Sequence, residues 1–490
     1  MTAPVTPVPV LATRRGKQIL LLLVAVAFLD FVDASIVNIA LPSIRTDLGF
    51  SVQNLQWVLS GYLLTYGGFM LLGGRAADLF GRRRILVAGT VLFGVASLSA
   101  GLAANEGLLI ASRLVQGMGA AMMIPAALSI LTTTFTQPSD RNRALGAWGA
   151  VAGLASGVGV FLGGLITEAL DWRWVFFVNL PVCLLVLRAM FRLIPADGPR
   201  RTSNLDVGGA VLVTAGMLLL IFTIVKAPGV GWGETRTVAG FAGAGALLAA
   251  FVAYELRQRN PLFPFSILRI KGLAAADVTQ VIAMAGFYSM FFFITLYMQN
   301  VLQFSKIGAG AAYLPATFSV AISAGIATQL MGKLGTRPVI VAGALLGAGG
   351  IFWISRIPVD GSYLTDLLPP LVVMSLGLGG VFVGVTTAAQ AGVPADKAGL
   401  AAALINSSTW LGGALGIAIF SAIATSRTRD LLADHATQAQ ALTSGFQRAL
   451  LAAAIFLAAA ALIALRTPNA RGEQEVAAGA PATAPLPETT

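Results

Sequence analysis

The chain has 490 residues, 57% hydrophobic and 11% charged, with a mean hydropathy of +0.82. Soluble domains carry about 25% charge, so a water-soluble globular protein is excluded and a polytopic membrane protein is expected. The net charge of +11 then reads as loop charge that orients the chain, not as a nucleic-acid surface. A single cysteine, Cys183, excludes a disulfide framework, and a single histidine, His435, excludes a histidine-based metal site.

Residues 1–17 are proline-rich, then basic, and read as a disordered tail. Arg14-Arg15-Gly16-Lys17 ahead of an apolar run resembles a signal peptide. The run is long, carries Asp30 and Asp33 and lacks a small-residue cleavage site, so a retained first span is expected. Fourteen apolar spans follow, at 18–40, 52–74, 85–104, 107–131, 143–167, 174–194, 207–225, 237–256, 273–300, 308–331, 337–356, 368–390, 398–425 and 445–465. Each is close to or above the ~20 residues that cross ~30 Å of hydrocarbon. Only helices satisfy their own backbone at such lengths in lipid, so the fold class is all-α. Residues 466–490, rich in Pro, Ala, Gly, Glu and Thr, read as a second disordered tail.

An even number of spans puts both tails on one side. Taking that side as cytoplasmic places 22 of the 32 Lys and Arg there and nine on the other, with Arg113 inside a span. This is the positive-inside pattern. The turn Gly74–Leu86, between spans 2 and 3, is then cytoplasmic. It is short, charged and glycine-punctuated, and suits a latch between two moving halves; orientation by Arg82, Arg83 and Arg84 is the simpler alternative. The stretch Gly81–Gly89 aligns with Gly335–Gly343 between spans 10 and 11. Chance similarity of Gly/Val/Ala-rich helices competes with an internal repeat. Equal topological positions favour the repeat, with two six-helix halves at 18–194 and 273–465 and two helices inserted within 195–272. Repeated halves around a midplane site are a transporter architecture.

Span 1 holds Asp30 and Asp33, three residues apart and on one helix face. Intramembrane acids are costly and mark ion or substrate paths, unless they are structural pairs or snorkel from a helix end. Span 4 holds Arg113. At 1.5 Å per residue, Arg113 lies about 9 Å and Asp33 about 12 Å from the same surface, so the two can meet. Such a pair suits a reversible proton carrier, with Arg113 favouring the charged carboxylate and burial opposing it; a purely structural bridge is the alternative. Gln116, one turn beyond Arg113, is a polar candidate for the substrate cavity. Span 5 is glycine-rich, including Gly159, Gly163 and Gly164, which packing alone would explain. Tyr62, Tyr66, Phe287, Tyr288, Phe291 and Trp410, with the polar Gln280 and Asn406, are candidates to line a cavity for flat or cationic molecules. Asp277 is further polar lining or merely an acid near the cytoplasmic end of span 9. No nucleotide-binding phosphate loop occurs, so active transport would draw on an ion gradient.

These features resemble the major facilitator superfamily, in particular its 14-helix drug:proton antiporter branch. Gly74–Leu86 resembles the cytoplasmic signature of the superfamily, Leu109–Ala121 its arginine signature on helix 4, and Asp33–Pro42 the branch's helix 1 signature; Trp172–Pro181 is also similar. The resemblance implies the major-facilitator fold, proton coupling through Asp33 tuned by Arg113, and a closed cytoplasmic gate stabilised by Asp78, Gly81 and Arg82; Asp30 is a candidate to share the proton, and Gly74 and Arg83 are further candidates in the gate. It implies no cofactor, with protons as the coupling ion and no metal. The partners implied are a small-molecule substrate and the lipid bilayer, with no nucleic acid, for a monomer in a bacterial plasma membrane with both termini cytoplasmic. The departure is Val160, which stands where the antiporter motif on helix 5 has proline. The expected function is proton-coupled export of small hydrophobic or cationic drugs or antibiotic-like metabolites. A proton-independent facilitator or importer of the same fold is the rival that Val160 supports. A membrane enzyme acting on lipid-linked substrates is the other; its largest loop, 426–444, offers only Asp430, Asp434 and His435.

Overall fold

The structure is a computed structural model and describes residues 10–135, 137–197, 206–258, 261, 265–270, 272–391, 393 and 398–470. Among the described residues, fourteen main helices follow the expected spans. They are α1 (Arg14–Leu48), α2 (Trp57–Phe80), α3 (Arg82–Gly101), α4 (Glu106–Thr134), α5 (Pro138–Ala169), α6 (Asn179–Leu193) and α7 (Val207–Val230). Then come α8 (Thr235–Glu255), α9 (Leu273–Asn300), α10 (Leu314–Leu334), α11 (Thr336–Ile354), α12 (Leu368–Gln390), α13 (Ala398–Ala433) and α14 (Gln438–Ala464). By length and composition, 12 helical segments among the described residues can cross a membrane. The remaining two, α2 and α5, are 24 and 32 residues long. Large apolar side chains such as Leu184, Leu185 and Phe318 stand exposed on the outside of the bundle, where lipid rather than water is the matching solvent.

The helix pairings repeat at a shift of eight. In the first half α3 packs on α4, α2 on α4, α1 on α5, α3 on α6 and α1 on α6. In the second, α11 packs on α12, α10 on α12, α9 on α13, α11 on α14 and α9 on α14. The glycines of the aligned stretches sit at equivalent crossings. A Cβ on Gly89 would come within 2.8 Å of the Gly119 carbonyl of α4, and one on Gly343 within 2.8 Å of the Gly377 carbonyl of α12. The fold is therefore two six-helix bundles, with α7 and α8 packed on each other and α7 also against α2 and α13.

Several boundaries differ from expectation. The basic cluster Arg14–Lys17 belongs to α1, not to a disordered tail, because Thr13 caps the helix by accepting from Gly16 N. Residues 466–470 are likewise ordered, with Thr336 N donating to the Ala470 carbonyl at 2.9 Å. Residues 1–9 and 471–490 lie outside the described residues. The expected loop at 426–444 is mostly helix. Here α13 continues to Ala433 and α14 begins at Gln438, after a reciprocal cap between Thr437 and Gln440.

The two halves are tied at the end opposite the termini. Gln299 Nε2 of α9 donates to the Ile39 carbonyl of α1, Lys306 Nζ to the Thr167 carbonyl of α5, and Ile307 N to Glu168 Oε2, each at 3.0 Å. A cleft of about 760 Å³ lies there, lined by residues such as Asp47, Glu168, Trp172 and Lys306. It includes none of the intramembrane acids.

Candidate functional site

Asp30, Asp33 and Arg113 are all 0% exposed. The depth argument predicts that Asp33 and Arg113 meet, and they do: Arg113 Nη1 lies 2.8 Å from Asp33 Oδ2. The Asp33 carboxylate takes two further donors on Oδ1, Gln116 Nε2 at 2.8 Å and Asn179 Nδ2 at 2.6 Å. Arg113 Nε donates to the Val58 carbonyl at 2.9 Å, and Nη1 also to Gln116 Oε1 at 2.6 Å. Ser97 Oγ of α3 accepts from Gln116 Nε2 at 2.8 Å and from Asn179 Nδ2 at 3.3 Å. Residues of α1, α2, α3, α4 and α6 thus close one cage around a single ion pair.

Asp30 is one helical turn away in a different setting. Its two oxygens accept from two hydroxyls of α2, Tyr62 at 2.7 Å and Tyr66 at 2.8 Å. The spacing of four residues puts both phenols on one face of α2. Among the described residues no cation forms an ion pair with Asp30. Tyr62 joins the two sites: its hydroxyl serves Asp30 while the Arg113 guanidinium lies 4.2 Å from its ring centroid.

The rings then reach across to the second half. Tyr66 stacks on Trp410 of α13 with centroids 4.3 Å apart and planes at 22°. Tyr62 meets Trp410 edge-on at 6.5 Å, and Tyr288 of α9 lies 6.0 Å from it. Four candidate lining residues therefore converge beside Asp30, at the seam between the halves. Aromatic faces beside a carboxylate attract cations.

A family model described as Major Facilitator Superfamily matches residues 23–417. The chain belongs to the major facilitator superfamily. This major-facilitator chain is 39% identical over 432 residues to the puromycin resistance protein pur8 of Streptomyces alboniger, covering 87% of the chain and 85% of that protein. It is 36% identical over 455 residues to the cephamycin export protein CmcT of Amycolatopsis lactamdurans, covering 92% of each. A solved bacterial homolog of the human lysosomal transporter Spinster, inward-facing and occupied, superposes with a TM-score of 0.68 at 16% identity, over 92% of this chain and 96% of that one. A D-xylose-proton symporter superposes at 0.62 and 14% identity, over 92% and 98%. At those identities the structures carry the fold alone.

Other candidates of the major-facilitator chain lie apart from the aromatic cluster. Gln116 belongs to the Asp33 cage. Gln280 bonds Thr409 on α13, and Asn406 is half-buried on the same helix. Phe287 is buried with its ring against Gly347 of α11, and Phe291 packs on Tyr313 at 5.3 Å. The helix 5 glycines are contact points. A Cβ on Gly159 would collide with Ser35, one on Gly163 with the Ile36 carbonyl, and one on Gly164 with the Lys306 carbonyl. α5 is thereby pressed between α1 and the second half.

At the α2–α3 turn, Gly81 has φ +106°, a conformation that favours glycine. A side chain there would also strike Asp197. Asp197, in the segment leaving α6, accepts from Arg83 N at 3.1 Å and Arg84 N at 2.9 Å. The side chain of Arg83 covers the Phe191 ring of α6 at 5.1 Å. Gly74 sits on α2 facing Pro125 of α4. Arg82 is half-buried. The Asp78 side chain lies outside the described residues.

The α10–α11 turn repeats this arrangement. Gly335 has φ +88°, and Asn469, in the segment leaving α14, accepts from Arg337 N at 3.1 Å. Sequence reasoning misses Asn179, Ser97, Asp197 and Asn469. For Asn179 a signal exists, a lone amide inside an apolar run, hidden by its neighbours Trp174, Phe176 and Phe177, which read as an interfacial belt.

Proposed function

We propose that the protein is a proton-driven exporter of small hydrophobic or cationic, antibiotic-like molecules. It sits as a monomer in a bacterial plasma membrane with both termini cytoplasmic, and residues 18–194 and 273–465 move as two bodies about the inserted pair. Relatives named for antibiotic resistance and export support the substrate class and the direction. The observation that carries the coupling is Asp30, a buried carboxylate held by neutral phenols at the seam of the two halves. Asp30 can gain or lose a proton without breaking an ion pair. Asp33 would have to give up its pair with Arg113 to do the same.

In this mechanism Asp30 carries the exchanged charge, and Asp33 with Arg113 sets the position of Tyr62. Protonation of Asp30 removes the charge that organises Tyr62 and Tyr66, which loosens the Tyr66–Trp410 stack and lets the halves rock. A cationic substrate at the aromatic seam favours the deprotonated carboxylate. Proton and substrate then prefer opposite states, as exchange requires. A charge crossing the membrane exchanges about 2.3 kcal/mol per 100 mV, enough to concentrate a solute. The turn at Gly74, Asp78, Gly81, Arg82 and Arg83 latches the cytoplasmic gate.

The test is efflux from proteoliposomes under an imposed pH gradient. Wild-type protein should accumulate substrate against its gradient, and Asp30→Asn should only equilibrate it. Gradient-driven accumulation by Asp30→Asn would remove Asp30 from the coupling. One observation favours a second reading, a proton-independent facilitator. α5 runs unbroken through Val160 for 32 residues, without the kink that a proline imposes. Equal accumulation with and without a protonophore would support that reading instead.

A further inference from the structure

A further buried acid lies near the start of α9. Asp277 is 9% exposed and Gln280, one turn on, is 1% exposed. Facing them, α13 carries the polar run Asn406-Ser407-Ser408-Thr409 inside an otherwise apolar helix. Ser408 Oγ donates to Asp277 Oδ1 at 3.1 Å, and Gln280 Nε2 donates to Thr409 Oγ1 at 2.8 Å. Thr409 gives its own proton to the Ile405 carbonyl at 2.9 Å. Both hydroxyl donors are therefore spent.

Two acceptors are left over. Asp277 Oδ2 and Gln280 Oε1 are buried and have no hydrogen-bond partner. Among the described residues no Lys, Arg or His pairs with Asp277. The gradation among the three acids is plain: Asp33 has three donors including a cation, Asp30 two phenols, Asp277 one hydroxyl. Buried acceptors without donors are costly, so a partner that brings donors would bind there with a large gain.

The chemistry narrows that partner. A proton on Asp277 Oδ2 makes that oxygen a donor that can serve Gln280 Oε1, but it brings no group that reaches the aromatic seam. A calcium-like ion wants six or more oxygens, and even with Ser407 Oγ of the facing run, also buried and unpartnered, there are three. An ammonium with two or three N–H groups fills both. The position fits as well. Asp277, Gln280, Met284 and Tyr288 share one face of α9 by their spacing of three, four and four. Tyr288 is a wall of the aromatic seam, and Gln280 lies eight residues, about 12 Å, from it along the helix. That is the span of an organic molecule with an aromatic body and an amine arm.

We infer that Asp277 Oδ2 and Gln280 Oε1 form a receiving site for a protonated primary or secondary amine, so that the molecules handled are amine-bearing organic cations whose aromatic body lies at Tyr66, Trp410 and Tyr288. The site's place in transport rests on the export reading above; its amine preference is measured by binding alone. The probes are dansylcadaverine, which carries a primary ammonium, and its N-acetyl derivative, which carries the same dansyl group without charge. Fluorescence titration of the purified full chain should give at least tenfold tighter binding of the amine. Asp277→Asn should bring the amine to the level of the amide and leave amide binding unchanged. Gln280→Glu, which adds a second carboxylate, should widen the preference and serves if Asp277→Asn melts early. Equal binding of the two probes to wild type, a preference that survives Asp277→Asn, or a preference lost in Asp30→Asn but kept in Asp277→Asn overturns the inference. Preserved amine preference with no energised efflux would reject the export reading and leave the site standing. Efflux without amine preference would reject the site alone.

Discussion

Asp33 and Asp30 are the same residue type, one turn apart on the same helix, and both fully buried. Asp33 is closed in by a guanidinium and two amides from two other helices, both within the first half. Asp30 is touched by two phenols, one of which stacks on the second half. In the proposed mechanism, this difference separates a carboxylate that holds a structure together from one whose charge changes as the structure moves. A buried ion pair has little freedom to exchange a proton, because removing either partner strands the other in a low-dielectric interior. Neutral hydroxyls impose no such penalty, since they can donate to a carboxylate or accept from a carboxylic acid.

The contrast is broken most strongly at Asp33. Asp33→Asn leaves the Arg113 guanidinium buried without a counter-charge and should cost about 3–5 kcal/mol, seen as early thermal melting of the purified protein. Adding Arg113→Gln should recover part of that stability without recovering transport. A single variant as stable as wild type would mean the cage is slack. Asp30→Asn is the opposite case. It should leave stability within about 1 kcal/mol, a single neutral hydrogen bond, while gradient-driven accumulation is lost.

The phenols sharpen the comparison further. Tyr66→Phe removes one donor from a carboxylate, a bond worth about 1.5–3 kcal/mol, and should slow energised efflux more than Tyr66→Trp, which keeps an N–H and the stacking surface. Equal rates in the two variants would show that the ring alone matters. The smallest effects belong to the repeated turns, where a charged and a neutral cap again differ. Asp197→Ala removes two bonds at the α3 N-terminus and should cost about 0.5–2 kcal/mol. Asn469→Ala removes one uncharged bond at α11 and should cost less, because only Asp197 complements the helix dipole. Denaturant melts of the two variants give the order, and a reversed order would show that the capping interactions do not control these turns.

The turns also show how much can be read from the chain. The alignment of Gly81–Gly89 with Gly335–Gly343 correctly points to a repeat, and both glycines sit at positive φ. It does not reveal what fills the space above them. Asp197 and Asn469 lie more than 100 residues from the backbone they cap, and nothing local marks them.

Span number, helical class, the two related halves and the meeting of Asp33 with Arg113 follow from the sequence alone. Their physical causes are local or one-dimensional: backbone groups in lipid must be satisfied within a helix, and depth follows from rise per residue. Which donors surround each acid was settled only by tertiary structure. Two aspartates on one helix face are equivalent in periodicity. They differ only through what α2, α4 and α6 bring to them, and such donors come from segments up to 146 residues away in the chain. Burial makes the difference matter, because in a low-dielectric interior a carboxylate's behaviour is set by its few nearest donors.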